Sequence, residues 1–130
     1  MLKILLLAAS MYHVPPDIFI AMCEVESNLV PTAIHKQDGN GTSYGLCQIK
    51  LATARSVGFQ GPPWKLMDPR VNAKYAARYF RYQMDRYHGN ITAALTAYNA
   101  GHFINNTEYA ARVYRHAAKY NITGITGSTK

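Results

Sequence analysis

Glu26 is the residue with the clearest chemical potential in this sequence. Met22 lies one turn before it, Val25 beside it and Leu29 three residues after it, and Ile18, Ala21, Met22, Val25 and Leu29 recur at helical spacing. A carboxyl group among such neighbours loses hydration, which disfavours its charged form and raises its pKa. That is the condition a general acid needs near neutral pH. A helical glutamate beside an apolar stripe is more often a boundary residue, so Glu26 needs partners before it reads as a catalyst. Glu24 is not one of them. Two residues away, it is rotated by roughly 200° and is expected to be a solvated surface charge.

Other reactive types are sparse. Cys23 and Cys47 are the two cysteines, too few for a disulfide scaffold and in no CxxC spacing for zinc. The redox compartment stays open. His13, His35, His88, His102 and His116 fall in no metal-ligand spacing, so neither a metal nor another cofactor is expected. Ten tyrosines form a large supply of rings for stacking on sugars or bases, although most tyrosines of a small domain are half-buried packing. Fourteen Lys and Arg against seven Asp and Glu leave a net charge of +7. Such a chain favours a polyanion: nucleic acid, an anionic membrane or a bacterial cell wall.

The elements that must position Glu26 read as helices. A length of 130 residues allows one domain, and 48% hydrophobic residues exclude wholesale disorder. Leu2, Leu5, Leu6 and Ala9 have helical spacing, so MLKILLLAAS reads as a helix of the fold rather than a secretory signal, whose apolar core is longer. Val14-Pro15-Pro16 ends that helix near Tyr12, and Pro16 with Asp17 starts the next, which Pro31 closes. His35 to Tyr44 reads as a polar loop, Leu51 to Val57 as a short helix, and Gln60 to Asp68 as another loop. A long helix follows from Arg70 to His88, then one over Ile91 to Tyr98 stopped by Gly101, then a last one from Thr107 to Lys119. No segment alternates with period two and none is apolar enough to span a membrane. The expectation is an all-α single domain over 1–120, with 121–130 a flexible tail.

On this background Glu26-Ser27 with Pro31 and Ala33, then Gly45-Leu46-Cys47-Gln48-Ile49, then Ala97-Tyr98-Asn99-Ala100-Gly101 resemble the motifs of the goose-type lysozyme and lytic transglycosylase (SLT-domain) superfamily. Asp68-Pro69-Arg70-Val71-Asn72 is similar to a further element of that family. The resemblance covers about residues 2 to 118. It implies a lysozyme-like helical fold, peptidoglycan glycan strands as substrate, and cleavage of the β-1,4 bond between N-acetylmuramic acid and N-acetylglucosamine. Glu26 takes the place of the catalytic acid, and 1,6-anhydromuramic acid is the expected product. Gln48, Tyr98 and Asn99 match residues that line the sugar groove, with a tyrosine hydroxyl there holding the acid or the N-acetyl group. Tyr109, Ser27 and Cys47 are weaker carry-overs to substrate binding.

The chain also departs from the pattern. Cys47 replaces the usual Met, one polarizable sulfur for another. Cys23 lies one turn before Glu26, so contact with Cys47 is compatible with the pattern, with unbonded thiols favoured over a disulfide. His35 stands where many bacterial members carry a Ser that aids the N-acetyl group. Asp38 in Asp38-Gly39-Asn40-Gly41 resembles the lysozyme-branch loop and is the alternative second carboxylate of a hydrolase, with a turn residue the favoured reading. A non-catalytic wall-binding module is the remaining alternative. Lys74, Arg78, Arg81 and Arg86 on the long helix carry no nucleic-acid signature, so no nucleic acid is expected, and that face reads as a contact for anionic wall polymers or the outer membrane. A monomer acting on the bacterial cell wall, as an endolysin or virion protein released by a holin or by phage or secretion machinery, is the expected setting.

Overall fold

The computed structural model of the chain describes residues 1–37 and 41–122. Asp38 and residues 123–130, the greater part of the expected tail, lie outside the described residues. Among the described residues there are six α-helices: α1 (Leu2–Tyr12), α2 (Pro16–Ser27), α3 (Leu51–Ser56), α4 (Pro69–Arg86), α5 (Ile91–Ala100) and α6 (Glu108–Ile122). Three short strands, β1 (Ile34–Gln37), β2 (Gly41–Tyr44) and β3 (Ile49–Lys50), form an antiparallel sheet in the order β1-β2-β3.

The helices follow local rules. Pro16 opens α2 with its missing N–H at a position that has no helical acceptor, and Asp17 sits in the positive first turn. The Asp68 carboxylate accepts from the Arg70 N–H at 2.9 Å and the Asn90 side chain from the Ala93 N–H at 3.0 Å, so α4 and α5 start on side-chain caps. Gly101, at φ 92°, stops α5 in a left-handed cap. α2 is the central helix: every residue from Asp17 to Cys23 is buried. It packs against α1 and α6, while α4 packs against α1 and α5. Leu5 and Ala9 of α1 are fully buried in this core beside Phe19, Met22, Phe80 and Leu95. Among the described residues no helix is long and apolar enough to cross a membrane.

Two sequence expectations are corrected here. The polar stretch from His35 to Tyr44 is not a loop but the β1–β2 hairpin, with Ile34 opposite Tyr44 and His35 opposite Ser43. Strands of four, four and two residues are too short to show period-two alternation, and backbone pairing rather than an apolar face defines them. The helix carrying Glu26 ends at Ser27, not at Pro31. Asn28 and Leu29 take left-handed φ values of 57° and 61°, so Leu29 is not the next rung of the stripe. The segment 60–68 also contains a 3-10 turn, Pro63–Met67, that buries Leu66 under a second small cluster with Ile49, Ala54 and Phe59.

Candidate active site

Glu26 stands in the last turn of α2, half-buried, at the floor of a cleft between the sheet and α5. The cleft holds about 110 Å³ and is lined by Ser43, Gln48 and Lys50 on the sheet side and by Tyr98 and Asn99 on the α5 side. Tyr79 from α4 contributes to the same wall. At Asn99 and Ala100 the cleft joins a hollow of about 410 Å³ beside α6, and at Thr53, Tyr79 and Gly101 a second one of about 440 Å³ beside α4. The three hollows are neighbours through these shared residues, an arrangement suited to a polymer rather than a small molecule.

The segment Gly45–Gln48 supplies one wall, and α2, α4 and α5 each hold it by a side chain. The Ser27 hydroxyl donates to the Leu46 carbonyl at 2.6 Å. The Cys47 N–H donates to Asn72 Oδ1 at 2.8 Å, and the Asn72 amide donates to the carbonyls of Tyr44 and Leu66 at 2.7 and 2.8 Å. The Tyr98 hydroxyl donates to the Cys47 carbonyl at 2.9 Å. Gly45, at φ 78°, leaves no room for a Cβ, which would strike the Asn72 amide and the Leu66 carbonyl. Gln48 takes a φ of 53°, rare for a residue with a side chain, and its amide donates to the carbonyls of Ala33 and Gly45 at 3.0 Å each. With both N–H groups used and no unpaired buried polar atom in the described residues, its Oε1 is the acceptor left open to the cleft.

Cys23 and Cys47 are joined by a disulfide, with Cα atoms 4.2 Å apart. The expectation of free thiols is therefore wrong. Both residues are fully buried, so Cys47 cannot touch substrate as expected. Its role is to tie the helix of Glu26 to the wall of Gln48. Ser27, also expected at the substrate, has its hydroxyl committed to Leu46 and accepting from the Val30 N–H at 3.1 Å. It fastens the loop.

The tyrosines exchange the places expected of them. Tyr98 lines the cleft with its ring, but its hydroxyl faces the Cys47 backbone and not the acid. Tyr109 from α6 donates to Glu26 Oε2 at 2.6 Å. Burial pushes the Glu26 carboxyl above its ordinary value, and it stays above although the Tyr109 hydrogen bond and the nearby Arg112 guanidinium pull it down. Burial and the Glu26 charge in turn push the hydroxyls of Tyr109 and Tyr98 far up, so both remain donors. Asn99 is exposed and lines both hollows, and its side chain makes no hydrogen bond to the described residues.

Glu24 departs from its expected solvated role. It accepts from Lys119 Nζ at 2.6 Å, pairs with His116 Nδ1 at 3.2 Å and accepts from the Tyr120 hydroxyl at 3.1 Å. Burial alone would raise its pKa, but these bonds outweigh it and hold the carboxyl below the ordinary value. The two glutamates of α2 thus separate, Glu26 towards the acid form and Glu24 towards the carboxylate.

The family model of the transglycosylase SLT domain matches residues 4–122. The chain belongs to that family. It is a cell-wall enzyme of the lytic transglycosylase class, with peptidoglycan as substrate, and its fold is the mostly helical, lysozyme-like one expected. All three sequence motifs fall inside the matched span and meet at one cleft of this SLT domain. Sequence reasoning missed Ser43, Lys50, Tyr79 and Arg112. Ser43 and Lys50 face the cleft because they are register partners across β2 and β3, which no short-range pattern reveals. Arg112 was readable in principle: it follows Tyr109 by three residues and so shares its helix face. The basic residues of α4 also divide. Lys74 and Arg78 lie over the Tyr75 ring, Arg81 pairs with Asp85 at 2.7 Å, and Arg86 turns to the groove, donating to the Gly101 carbonyl at 3.1 Å.

Proposed function

We propose that the protein cleaves the β-1,4 bond between N-acetylmuramic acid and N-acetylglucosamine without water, releasing 1,6-anhydromuramyl ends. The observation that carries this reading is one carboxyl group, Glu26, biased towards its protonated form and the only acidic side chain among the described residues of the central cleft. Protonated Glu26 donates its proton to the glycosidic oxygen as the C1–O bond breaks. The resulting carboxylate, held by the Tyr109 hydroxyl, takes the proton of the muramyl 6-hydroxyl as that oxygen closes onto C1. The acid is restored and no water is consumed. An inverting hydrolase would require a second carboxylate roughly 6.5–9.5 Å away to direct a water molecule.

In this reading Gln48 Oε1 and the Asn99 amide accept and donate along the sugar, and the rings of Tyr98 and Tyr79 pack against it; all four residues line the cleft. Ser43 supplies a hydroxyl in the cleft where the family's serine position holds the exposed His35 instead, so Ser43 is the candidate partner of the N-acetyl group. Its strand neighbour His35 is opposite it in register.

The deciding experiment is mass spectrometry of muropeptides released from purified peptidoglycan. Products lighter by one water than the hydrolysed sugars support the reading. Reducing-end products shift the protein to the hydrolase alternative and make Asp38 the next residue to replace. A protein that binds the wall but releases nothing is the binding module. Glu26→Gln should abolish turnover and leave wall binding intact.

Leu5 and Ala9 of α1 are part of the core, so α1 belongs to the folded domain. Release by a holin, or carriage by a phage or secretion machine, is the setting we propose. The outer face of α4, with Lys74, Arg78 and Arg81, is the proposed contact for anionic wall polymers or lipopolysaccharide. Lysis that falls as salt rises at fixed pH supports that role, and indifference to ionic strength removes it.

A further inference from the structure

The hollow beside α6 adjoins the acid but is not needed for the proton transfers. Tyr109, whose hydroxyl holds the acid, lines it, and it shares Asn99 and Ala100 with the central cleft. Its volume of about 410 Å³ is well above that of the central cleft. Arg112 is its one cation. Among the described residues Arg112 makes no ion pair, although Glu108 stands one turn before it on the same helix and lines the same hollow. Its charge nevertheless reaches the Glu26 carboxyl. A guanidinium left without a carboxylate, in a concave site beside a reacting sugar, is the donor arrangement that suits a planar carboxylate of the ligand. Glu108 gives the hollow an opposite charge, so it is not a general attractor of polyanions. It rewards a ligand whose carboxylate reaches Arg112 itself.

The glycan cleaved at Glu26 offers such a group. In intact peptidoglycan the lactyl carboxyl of the muramyl residue is tied up as an amide, and the free carboxylates belong to the peptide stem. We propose that the hollow between α5 and α6 is a subsite for a stem carboxylate, with Arg112 the residue that selects stem-bearing glycan. This rests on the glycan-cleavage reading above. Arg112 here is a specificity residue and not a catalyst.

The test compares two forms of the same substrate: solubilised glycan strands with native stems, and those strands after carbodiimide coupling to ammonia, which keeps the stems but turns their carboxylates into amides. The wild type should prefer the native strands by roughly tenfold in kcat/KM, mostly through KM, the size expected of one charged contact. Arg112→Ala, measured at its own pH optimum, should reduce that preference towards unity, and Arg112→Lys should recover part of it. A variant acting only through Glu26 would slow both substrates alike and keep the ratio, which overturns the proposal. A wild type with no preference overturns it as well. If the wild type releases no product from either strand, the cleavage reading itself has failed. The subsite is then judged by binding: calorimetry of a soluble disaccharide-tetrapeptide and its amidated form on Glu26→Gln and on Glu26→Gln/Arg112→Ala. The same roughly tenfold difference, lost with Arg112, supports the subsite, and equal affinities refute it.

Discussion

Reducing the Cys23–Cys47 disulfide should cost the protein a large part of its stability while leaving its folded active site largely intact. The bridged residues are 24 apart in sequence. In the chain-entropy account, opening a loop of that size frees the unfolded state by about 3.5 kcal/mol at 25 °C. A domain of this length typically has 5–15 kcal/mol in total. With an unfolding entropy of about 2.1 cal/mol/K per residue, that loss lowers Tm by roughly 13 °C. The cleft is a separate matter, because Cys47 is also held through its N–H by Asn72 and through its carbonyl by Tyr98. The folded reduced protein should therefore keep most of its turnover at low temperature. Denaturant unfolding followed by circular dichroism, on oxidised and reduced protein, gives the stability difference. Muropeptide release at low temperature gives the activity. An unchanged unfolding midpoint would refute the entropic argument. A reduced protein that is folded but inactive would show that the backbone hydrogen bonds do not position Gln48 and Glu26 by themselves.

Three more outcomes can be checked. Tyr109→Phe removes a hydrogen bond that favours the Glu26 carboxylate, so the Glu26 pKa should rise further and the alkaline limb of the kcat/KM profile should move to higher pH. A limb that stays or moves down contradicts the assignment of Glu26 as the acid. Glu26→Gln should be more stable than the wild type at pH 7, because a carboxyl whose folded pKa is raised loses stability as pH rises. Titrated by denaturant unfolding, that gain should vanish below the ordinary value of 4.5, and a gain that persists in acid would point to packing instead. Asn72→Ala strands the Cys47 N–H and the carbonyls of Tyr44 and Leu66 in a fully buried place. It should cost about 3 kcal/mol in unfolding measurements and lower kcat. Wild-type stability in that variant would show that water replaces the amide without penalty.

How far the sequence could be read depended on the range of each signal. Pro16, Asp68-Pro69 and Gly101 set helix ends through contacts within one turn, and these boundaries were legible. The short strands were not, since their pairing joins Ser43 to Lys50 and Ile34 to Tyr44 across turns. The early stop of α2 was missed because left-handed φ at Asn28 and Leu29 carries a weaker sequence mark than Pro31. The raised pKa expected of Glu26 is present, but the helical stripe behind that expectation stops short of Leu29, and burial in the folded chain supplies it.

What the residues alone determined was the chemistry on offer: the Glu26 carboxyl group beside the apolar stripe of a helix, a glycine-bounded segment ending in Gln48, and a Tyr-Asn pair before a helix-stopping glycine. These are local facts, expressed within a few residues. What only the tertiary structure decided was which group holds which. Tyr109 rather than Tyr98 meets the acid, 83 positions away in sequence. Cys23 and Cys47 bond instead of lying side by side. Glu24 is fastened to α6 while Glu26, two residues on, is driven towards its acid form. Each of these depends on how α6 and the Gly45–Gln48 segment pack against α2. Packing is a sum over the whole core, so no window of sequence around Glu26 contains it.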